Sequence, residues 1–384
     1  MRSRSARRSS RYSNGPEGRA SESLVQREQC FITKRGSMTQ VSISTPLSNF
    51  IEQQTKGFLC YSESWYNLLQ SVYGYSIILL TTTDRLGQIK GILPLCEIKS
   101  PLTGHRLVSL PFSDCCPLLA SDEDSANDLI DQAIRLAQEK KVKYLELRPG
   151  VNDVLAKRSD MVAGNLYVRW LLPLQENPDA LWTSLSSHVR RHIHKAQKQD
   201  IQIRMAENIE DVEQYYRLHL LTRSKKHGMP AQPRKYFYQL WNDFHAEGKV
   251  QIFLAEYHEH VIASIVIFVH DEILQCAYAA SDQRFLHLSP NHLLYWSVIK
   301  WGCTQQYKAY DFGRTAIDNK GLMEFKRRWG AIEEPLPYYY YPGVAGLASK
   351  SEDSKLFRLL TSCWRRLPLS VAGPLGGLVY RHMG

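Results

Sequence analysis

A chain of 384 residues with 43% hydrophobic, 11% aromatic and 22% charged residues is longer than one ordinary domain needs and too apolar to stay unfolded. Two domains of about 150 residues each are expected, and a disordered or fibrous chain is excluded. The formal net charge of +10 sits at the two ends: residues 1–36 carry nine Lys/Arg against three Asp/Glu, residues 349–384 six against two, and the body between them 33 of each.

A neutral body means that the basic composition is not in itself the footprint of a nucleic-acid-binding fold. Eight cysteines without a CxxC or a Cys/His zinc spacing fit a reduced, cytosolic protein with no metal site. The longest apolar run, Val261–Val269, interrupted only by Ser264, falls far short of the roughly 20 residues that a membrane helix requires. Residues 1–36 are rich in Arg and Ser and have no apolar stretch after the basic start, so they read as a disordered basic tail, extending to residue 44, rather than a secretory signal; Met38 is a second candidate start.

Along the body, Trp65, Leu68, Leu69 and Val72 recur at helical spacing over 63–72. Ser76–Thr83 and Ile89–Ile98 read as strands joined by a turn at Arg85-Leu86-Gly87. A helix is expected over 124–139, with Leu129, Ile130, Ala133, Ile134 and Ala137 on one face, followed by a strand at Lys143–Leu147. The order then returns: helices over 209–225 and 234–247, strands at Val250–Tyr257, Val261–Val269 and Ile273–Ala279, a helix over 290–304 opened by Ser289-Pro290, and a strand at Lys308–Phe312. Superposing the two helix-to-strand junctions, 138–150 on 304–315, puts Lys143 on Lys308, Glu146 on Asp311 and Leu147 on Phe312, a spacing of 165 residues. A duplicated α/β domain accounts for this economically.

No GxGxxG, GxxxxGK[ST] or GxSxG is present, and Asp311-Phe312-Gly313 has no HRD before it, so dinucleotide, nucleotide-loop, hydrolase and kinase chemistry lack their defining residues. His192 and His194, two apart, point to different helix faces and do not form a metal pair, and nothing specific supports a His105/Cys115 protease pairing. What remains is 310–341, where a strand ends at Phe312, Gly313 permits an unusual backbone and Arg314 follows. A short helical segment then carries Phe325, Lys326, Arg327, Arg328 and Trp329. Charge beside two large aromatics points to a walled site at the end of a strand.

Five blocks in one order carry a resemblance: SSHVRRHIHKAQKQDI at 186–201, HGMPAQPRKYF at 227–237, ASDQRFLHLSPNHLLYW at 280–296, YDFGR at 310–314 and GLMEFKRRWGA at 321–331. Together they resemble the Fem aminoacyl transferases and their relatives in the GNAT superfamily. Those relatives include BioF2-like acetyltransferase domains and Fem-like proteins associated with exopolysaccharide and protein-sorting (PEP-CTERM) systems. The resemblance implies a mixed α/β fold of tandem GNAT-like domains, the first over 45–165 and the second, catalytic one over 166–345. It implies transfer of an acyl or aminoacyl group to an amine of a cell-envelope precursor, peptidoglycan or exopolysaccharide. By the same resemblance, Lys326 of the Glu-Phe-Lys motif stabilises the transferred carbonyl, in line with the strong effect of a cation on an oxyanion in a dry pocket.

Arg314 and His227 join Lys326 as candidate catalytic groups. Substrate binding is assigned to Arg190, Arg191 and Lys195 on a basic helical segment suited to phosphate, and to Arg284, Asn291, Asp311, Gly313, Phe325 and Trp329. The segment 281–289 stands where acyl-CoA enzymes of this superfamily place a glycine-containing pyrophosphate loop, and it contains no glycine. The co-substrate is therefore acyl-CoA or aminoacyl-tRNA with the balance against standard acyl-CoA binding, no cofactor is expected, and the acceptor is a small-molecule or lipid- or nucleotide-linked amine. The competing reading is an inactive scaffold on the same fold. Residues 346–384 form a basic amphipathic C-terminal segment, suited either to peripheral contact with the inner face of a membrane or to packing on the first domain.

Overall fold

The computed structural model describes residues 33–35, 38–40, 42–55, 58–343 and 355–383. Residues 1–32, 36, 37 and 41 of the expected basic tail and 346–354 and 384 of the C-terminal segment lie outside the described residues. A small hairpin, β1 (Thr33–Arg35) with β2 (Met38–Gln40), stands apart from the main sheet. The first half then runs α1 (Thr45–Thr55), α2 (Glu63–Tyr73), β3 (Ser76–Thr83), β4 (Ile89–Ser100), β5 (Gly104–Val108), β6 (Leu119–Ala120), α3 (Glu123–Glu139), β7 (Tyr144–Leu147), α4 (Asp153–Lys157) and β8 (Val162–Pro173). After α5 (Pro178–Ser184) and α6 (Ser187–Gln197), the second half runs β9 (Ile201–Met205), α7 (Ile209–Leu220), α8 (Arg234–Phe244), β10 (Val250–Tyr257), β11 (His260–His270), β12 (Ile273–Ser281), α9 (Pro290–Thr304), β13 (Ala309–Ala316), α10 (Lys320–Arg328) and β14 (Ile332–Tyr341). Two helices, α11 (Lys355–Arg366) and α12 (Leu369–Tyr380), follow.

Local chemistry sets these boundaries. Ser62 accepts from the Trp65 N–H to open α2, and Gly74, at φ +72°, closes it. Asp122 caps α3, whose buried stripe is the Leu129, Ile130, Ala133, Ile134 and Ala137 set legible in the periodicity. The helix expected over 209–225 differs at its end: α7 stops at Leu220 and continues as a wider π turn over Leu221–Lys226, closed by the His227 N–H to the Thr222 carbonyl at 3.1 Å. Such widened turns re-aim side chains, and here they bring Arg223, Lys226 and His227 to the cavity described below.

All strands from β3 onward join one twelve-stranded mixed sheet in the order β3-β4-β5-β7-β14-β8-β13-β12-β11-β10-β9, with β6 on β4. The two halves repeat one pattern. In the first, β5 runs parallel to β7, pairing Val108 with Glu146; in the second, β12 runs parallel to β13, pairing Gln275 with Asp311. Glu146 and Asp311 thus occupy equivalent rungs, as the 165-residue superposition implies, and the mixed α/β fold repeats one pattern in its two halves. The central strands cross over: β8 leaves the first half to pair with β13, β14 leaves the second to pair with β7, and the two pair with each other. The sequence boundary at 165/166 falls inside β8.

Pro335 and Pro337 make β14 an improbable central strand by pattern alone. Its ladder explains them: β7 reaches only Tyr339–Tyr341, so neither proline has a partner on that side, and in the ladder with β8 Pro335 pairs with Val168 while Pro337 sits at a register shift. The halves also share a core, since Trp65 of α2 packs against Phe244 of α8 at 6.2 Å and Phe268 of β11 at 5.8 Å between ring centroids. Among the described residues no helix is long and apolar enough to cross a membrane.

Candidate functional site

Beyond Gln275 and Asp311 the parallel pair β12/β13 separates, and the gap opens into a cavity of about 1300 Å³ between the halves. Eight Lys/Arg side chains line it against three Asp/Glu, so the space favours an anionic ligand. Where β13 passes β8, Asp311 pairs with Leu171 and Arg314 with Arg169, leaving Phe312 and Gly313 opposite Trp170 alone. This is a β-bulge, and Gly313 holds it at φ +73°. A Cβ there would stand 3.2 Å from the Cys276 carbonyl and 3.3 Å from Asp114 Oδ2. Gly313→Ala is therefore expected to destabilise the fold by about 1–2 kcal/mol, read as a lower melting temperature; an unchanged one would mean that the bulge tolerates a side chain.

The bulge directs two carbonyls at one cation. On α10, opened by Asn319 accepting from the Leu322 N–H, the buried positions are Met323 and Lys326. Lys326 Nζ donates to the Gly313 carbonyl at 2.7 Å and the Arg314 carbonyl at 3.3 Å. Burial, with only 4% of the residue exposed, pulls its pKa down to about 8. An ammonium has three N–H donors; two are spent on the bulge and the third is left for the cavity that Lys326 lines.

Around this lysine the polar groups are interlocked. Asp311, buried, accepts from Arg169 Nε at 2.8 Å and from the Gly313 N–H at 2.8 Å, and burial raises its carboxyl pKa against the pull of Arg169. Arg314 is gripped by Asp114, with Nε at 3.1 Å from Oδ1 and its backbone N–H 3.1 Å from Oδ2. Its guanidinium lies 4.7 Å from the Tyr167 ring centre and donates to the Tyr338 hydroxyl at 3.0 Å. Tyr338 in turn donates to the Asp114 carbonyl at 2.8 Å, and burial pushes its phenol up to about 12, so it remains a neutral donor. Arg148 pairs with Glu146 at 2.6 Å and stands over the Tyr338 ring at 5.3 Å.

Of the residues singled out from the sequence, Lys326, Arg314, His227, Asp311, Gly313 and Phe325 line this one cavity. Trp329 is fully buried behind it, 6.0 Å from Phe312 and 6.2 Å from Phe325 between ring centroids. Arg190, Arg191 and Lys195 lie on α6, which packs on α9 outside the cavity lining; Arg191 and Lys195 are exposed and Arg190 is half-buried. Exposed Arg284 is held by Asp282 at 2.7 Å, and half-buried Asn291 donates to Ser281 Oγ at 3.4 Å. Asp114, Arg148, Arg169, Tyr167 and Tyr338 were not singled out. Arg148 had a signal in its place in the repeated junction two residues after Glu146, and Tyr338 in lying within 310–341. Cys115 also lines the cavity, and burial pushes its thiol to about 12, so it is not a thiolate nucleophile at neutral pH. Among the described residues no group of His, Cys, Asp or Glu side chains is set to hold a metal.

The glycine-free segment 281–289 folds as a 3₁₀ turn, Gln283–Leu288. Its amides are occupied internally: the Arg284 and Phe285 N–H groups donate to Asp282, the Ser289 N–H to the Leu286 carbonyl and the His292 N–H to the Ser289 carbonyl. The buried Asp282 carboxylate occupies the same turn. These internal bonds and the missing glycine make the turn unlike a glycine-built cradle of open amides for a pyrophosphate.

Comparison with known proteins agrees with this architecture. A model of the acetyltransferase (GNAT) domain matches residues 183–327. Among solved structures, FemX superposes with a TM-score of 0.57 at 15% identity, covering 79% of this chain and 97% of that one. L-PGS from Bacillus licheniformis gives 0.53 at 14%, covering 83% and 96%. At such identities the likeness establishes the fold alone, and residues 183–327 match the acetyltransferase (GNAT) domain within it. No curated protein matches the sequence.

Proposed function

We propose that the protein is an acyl- or aminoacyltransferase that forms an amide on an amine of a cell-envelope precursor, of peptidoglycan or exopolysaccharide type, using an aminoacyl ester as donor. The observation that carries this reading is Lys326, a buried cation with no carboxylate partner among the described residues, aimed by the Gly313 and Arg314 carbonyls into a cationic cavity. The amine nitrogen attacks the ester carbonyl, the negative charge that develops on its oxygen is met by Lys326, the carbon–oxygen bond breaks, the donor leaves as an alcohol carrying the proton given up by the amine, and the amide remains. Asp114 and His227 on the cavity wall are the acceptors for the proton that leaves the amine. The remaining cavity cations suit phosphate groups on donor or acceptor.

The donor assignment is supported by the segment 281–289, which has no glycine and whose Arg284, Phe285 and Ser289 N–H groups are bonded internally, unlike an open amide cradle for the pyrophosphate of coenzyme A. Incubating the purified protein with charged tRNA and amine-bearing nucleotide-sugar acceptors, followed by mass spectrometry, is expected to show a new amide. Calorimetry with acetyl-CoA is expected to show no binding in the micromolar range. Micromolar acetyl-CoA binding would overturn the donor assignment; absence of any amide product would favour the inactive scaffold.

A further inference from the structure

The C-terminal helix α12 has two faces of opposite character. Its inner face, Ala372, Gly373 and Gly376, is buried against the second half. A Cβ on Gly376 would stand 3.0 Å from the Ala231 nitrogen, and one on Gly377 2.9 Å from Pro233 Cβ, so small residues seat the helix closely. Its outer face presents Val371, Leu375 and Leu378, which are 46%, 38% and 61% exposed and recur at helical spacing.

At the end of α12 the chain reaches the first half. Tyr380 stacks on Phe112 at 5.2 Å, Tyr75 donates to the Arg381 carbonyl at 2.7 Å and Arg106 Nη2 donates to the His382 carbonyl at 3.0 Å. Tyr380 and Met383 line the cavity together with Leu102, which is 66% exposed. A lining residue so open to solvent marks the mouth. Exposed Arg365 and Arg366 precede the apolar stripe and exposed Arg381 follows it, and no acidic residue occurs from 355 to 384.

We propose that this face docks on a membrane surface bearing anionic lipid. Val371, Leu375 and Leu378 enter the interfacial region, the three arginines lie among the phosphate headgroups, and the cavity mouth at Leu102, Tyr380 and Met383 is held beside the bilayer. A row of exposed aliphatic side chains bracketed by unopposed cations matches that partner in both polarity and charge. The helix lies on the surface, since its twelve residues are too few to span. Docking rests on the transferase reading only for its consequence, delivery of a lipid-anchored substrate to the cavity.

The test is sedimentation of the full chain with phosphatidylcholine vesicles, with and without roughly one-third phosphatidylglycerol. Binding to the anionic vesicles is expected, weakened about tenfold or more by Val371→Ser/Leu375→Ser/Leu378→Ser and by Arg365→Glu/Arg366→Glu/Arg381→Glu. Both sets lie on the surface, so melting curves are expected to match the wild type. Three results overturn the proposal: no vesicle binding, binding that survives the serine triple, or self-association in ultracentrifugation that the same triple abolishes. Lys326→Met is expected to bind vesicles as the wild type does, so failure of docking and failure of the transferase assignment are read separately.

Discussion

Lys326→Met is expected to lower turnover by about 10²–10³-fold while leaving the stability of the fold close to that of the wild type. Both effects follow from one fact: a lysine whose pKa is about 8 instead of 10.5 is held where its charged form is disfavoured. At neutral pH that shift corresponds to about 3 kcal/mol. Methionine fills similar space without charge but leaves the Gly313 and Arg314 carbonyls without this donor, at about 1–3 kcal/mol each, so gain and loss are of the same size. The pH dependence has a definite sign. Between about pH 8 and 10.5 the unfolded chain holds more protons than the folded one, so wild-type stability rises with pH across that window, and the methionine variant lacks this rise. Activity runs the other way: the ammonium must be present, so turnover is expected to fall as pH climbs through about 8. Urea titrations at pH 7 and 10, together with a pH–rate profile, check all three statements. Full turnover in a folded Lys326→Met sinks the catalytic assignment, and loss of turnover together with a lower melting temperature makes the residue structural.

Most helices and outer strands were legible because their burial is decided locally. The stripe of α3 and the Pro290 start of α9 are properties of a few neighbouring residues; Ser289, expected to cap α9, makes no cap bond, and its hydroxyl meets His192 Nδ1 instead. The crossing strands were not. The burial of β8 and β14 depends on partners from opposite halves, and Pro335 and Pro337 are acceptable only because β7 stops short of them. The site divides in the same way. Asp311, Gly313, Arg314, Phe325 and Lys326 lie close together in sequence on one strand and the helix after it, so they stood out as a cluster. Asp114, Arg148, Arg169 and Tyr338 come from four distant segments and meet only when the sheet closes. The expected cationic patches behaved likewise. The run at 190–198 lies on α6 outside the cavity lining, whereas the cationic wall is assembled from arginines scattered through a body of zero net charge. Charge balance along a chain says nothing about charge separation in space.

Arg169→Met is expected to destabilise the fold by about 3–5 kcal/mol at neutral pH, because it leaves the buried Asp311 carboxylate without its cation. Adding Asp311→Asn is expected to recover most of that loss, since an amide still accepts from the Gly313 N–H and carries no charge. Acidification is expected to help the single variant. With its carboxyl already raised by burial and no longer held down by Arg169, Asp311 takes up a proton more readily in the folded state than in the unfolded chain. Stability is then present at low pH and lost as pH rises through the folded pKa. Denaturant unfolding at pH 5 and 8 measures this: a single variant within about 1 kcal/mol of the wild type at pH 8 would show that the pair is not needed to keep Asp311 buried. The consequence reaches the site, because Asp311 fixes the Gly313 N–H and thereby the bulge whose carbonyls aim Lys326. The double variant is expected to regain stability ahead of activity, which separates the carboxylate's part in folding from its part in orienting the lysine.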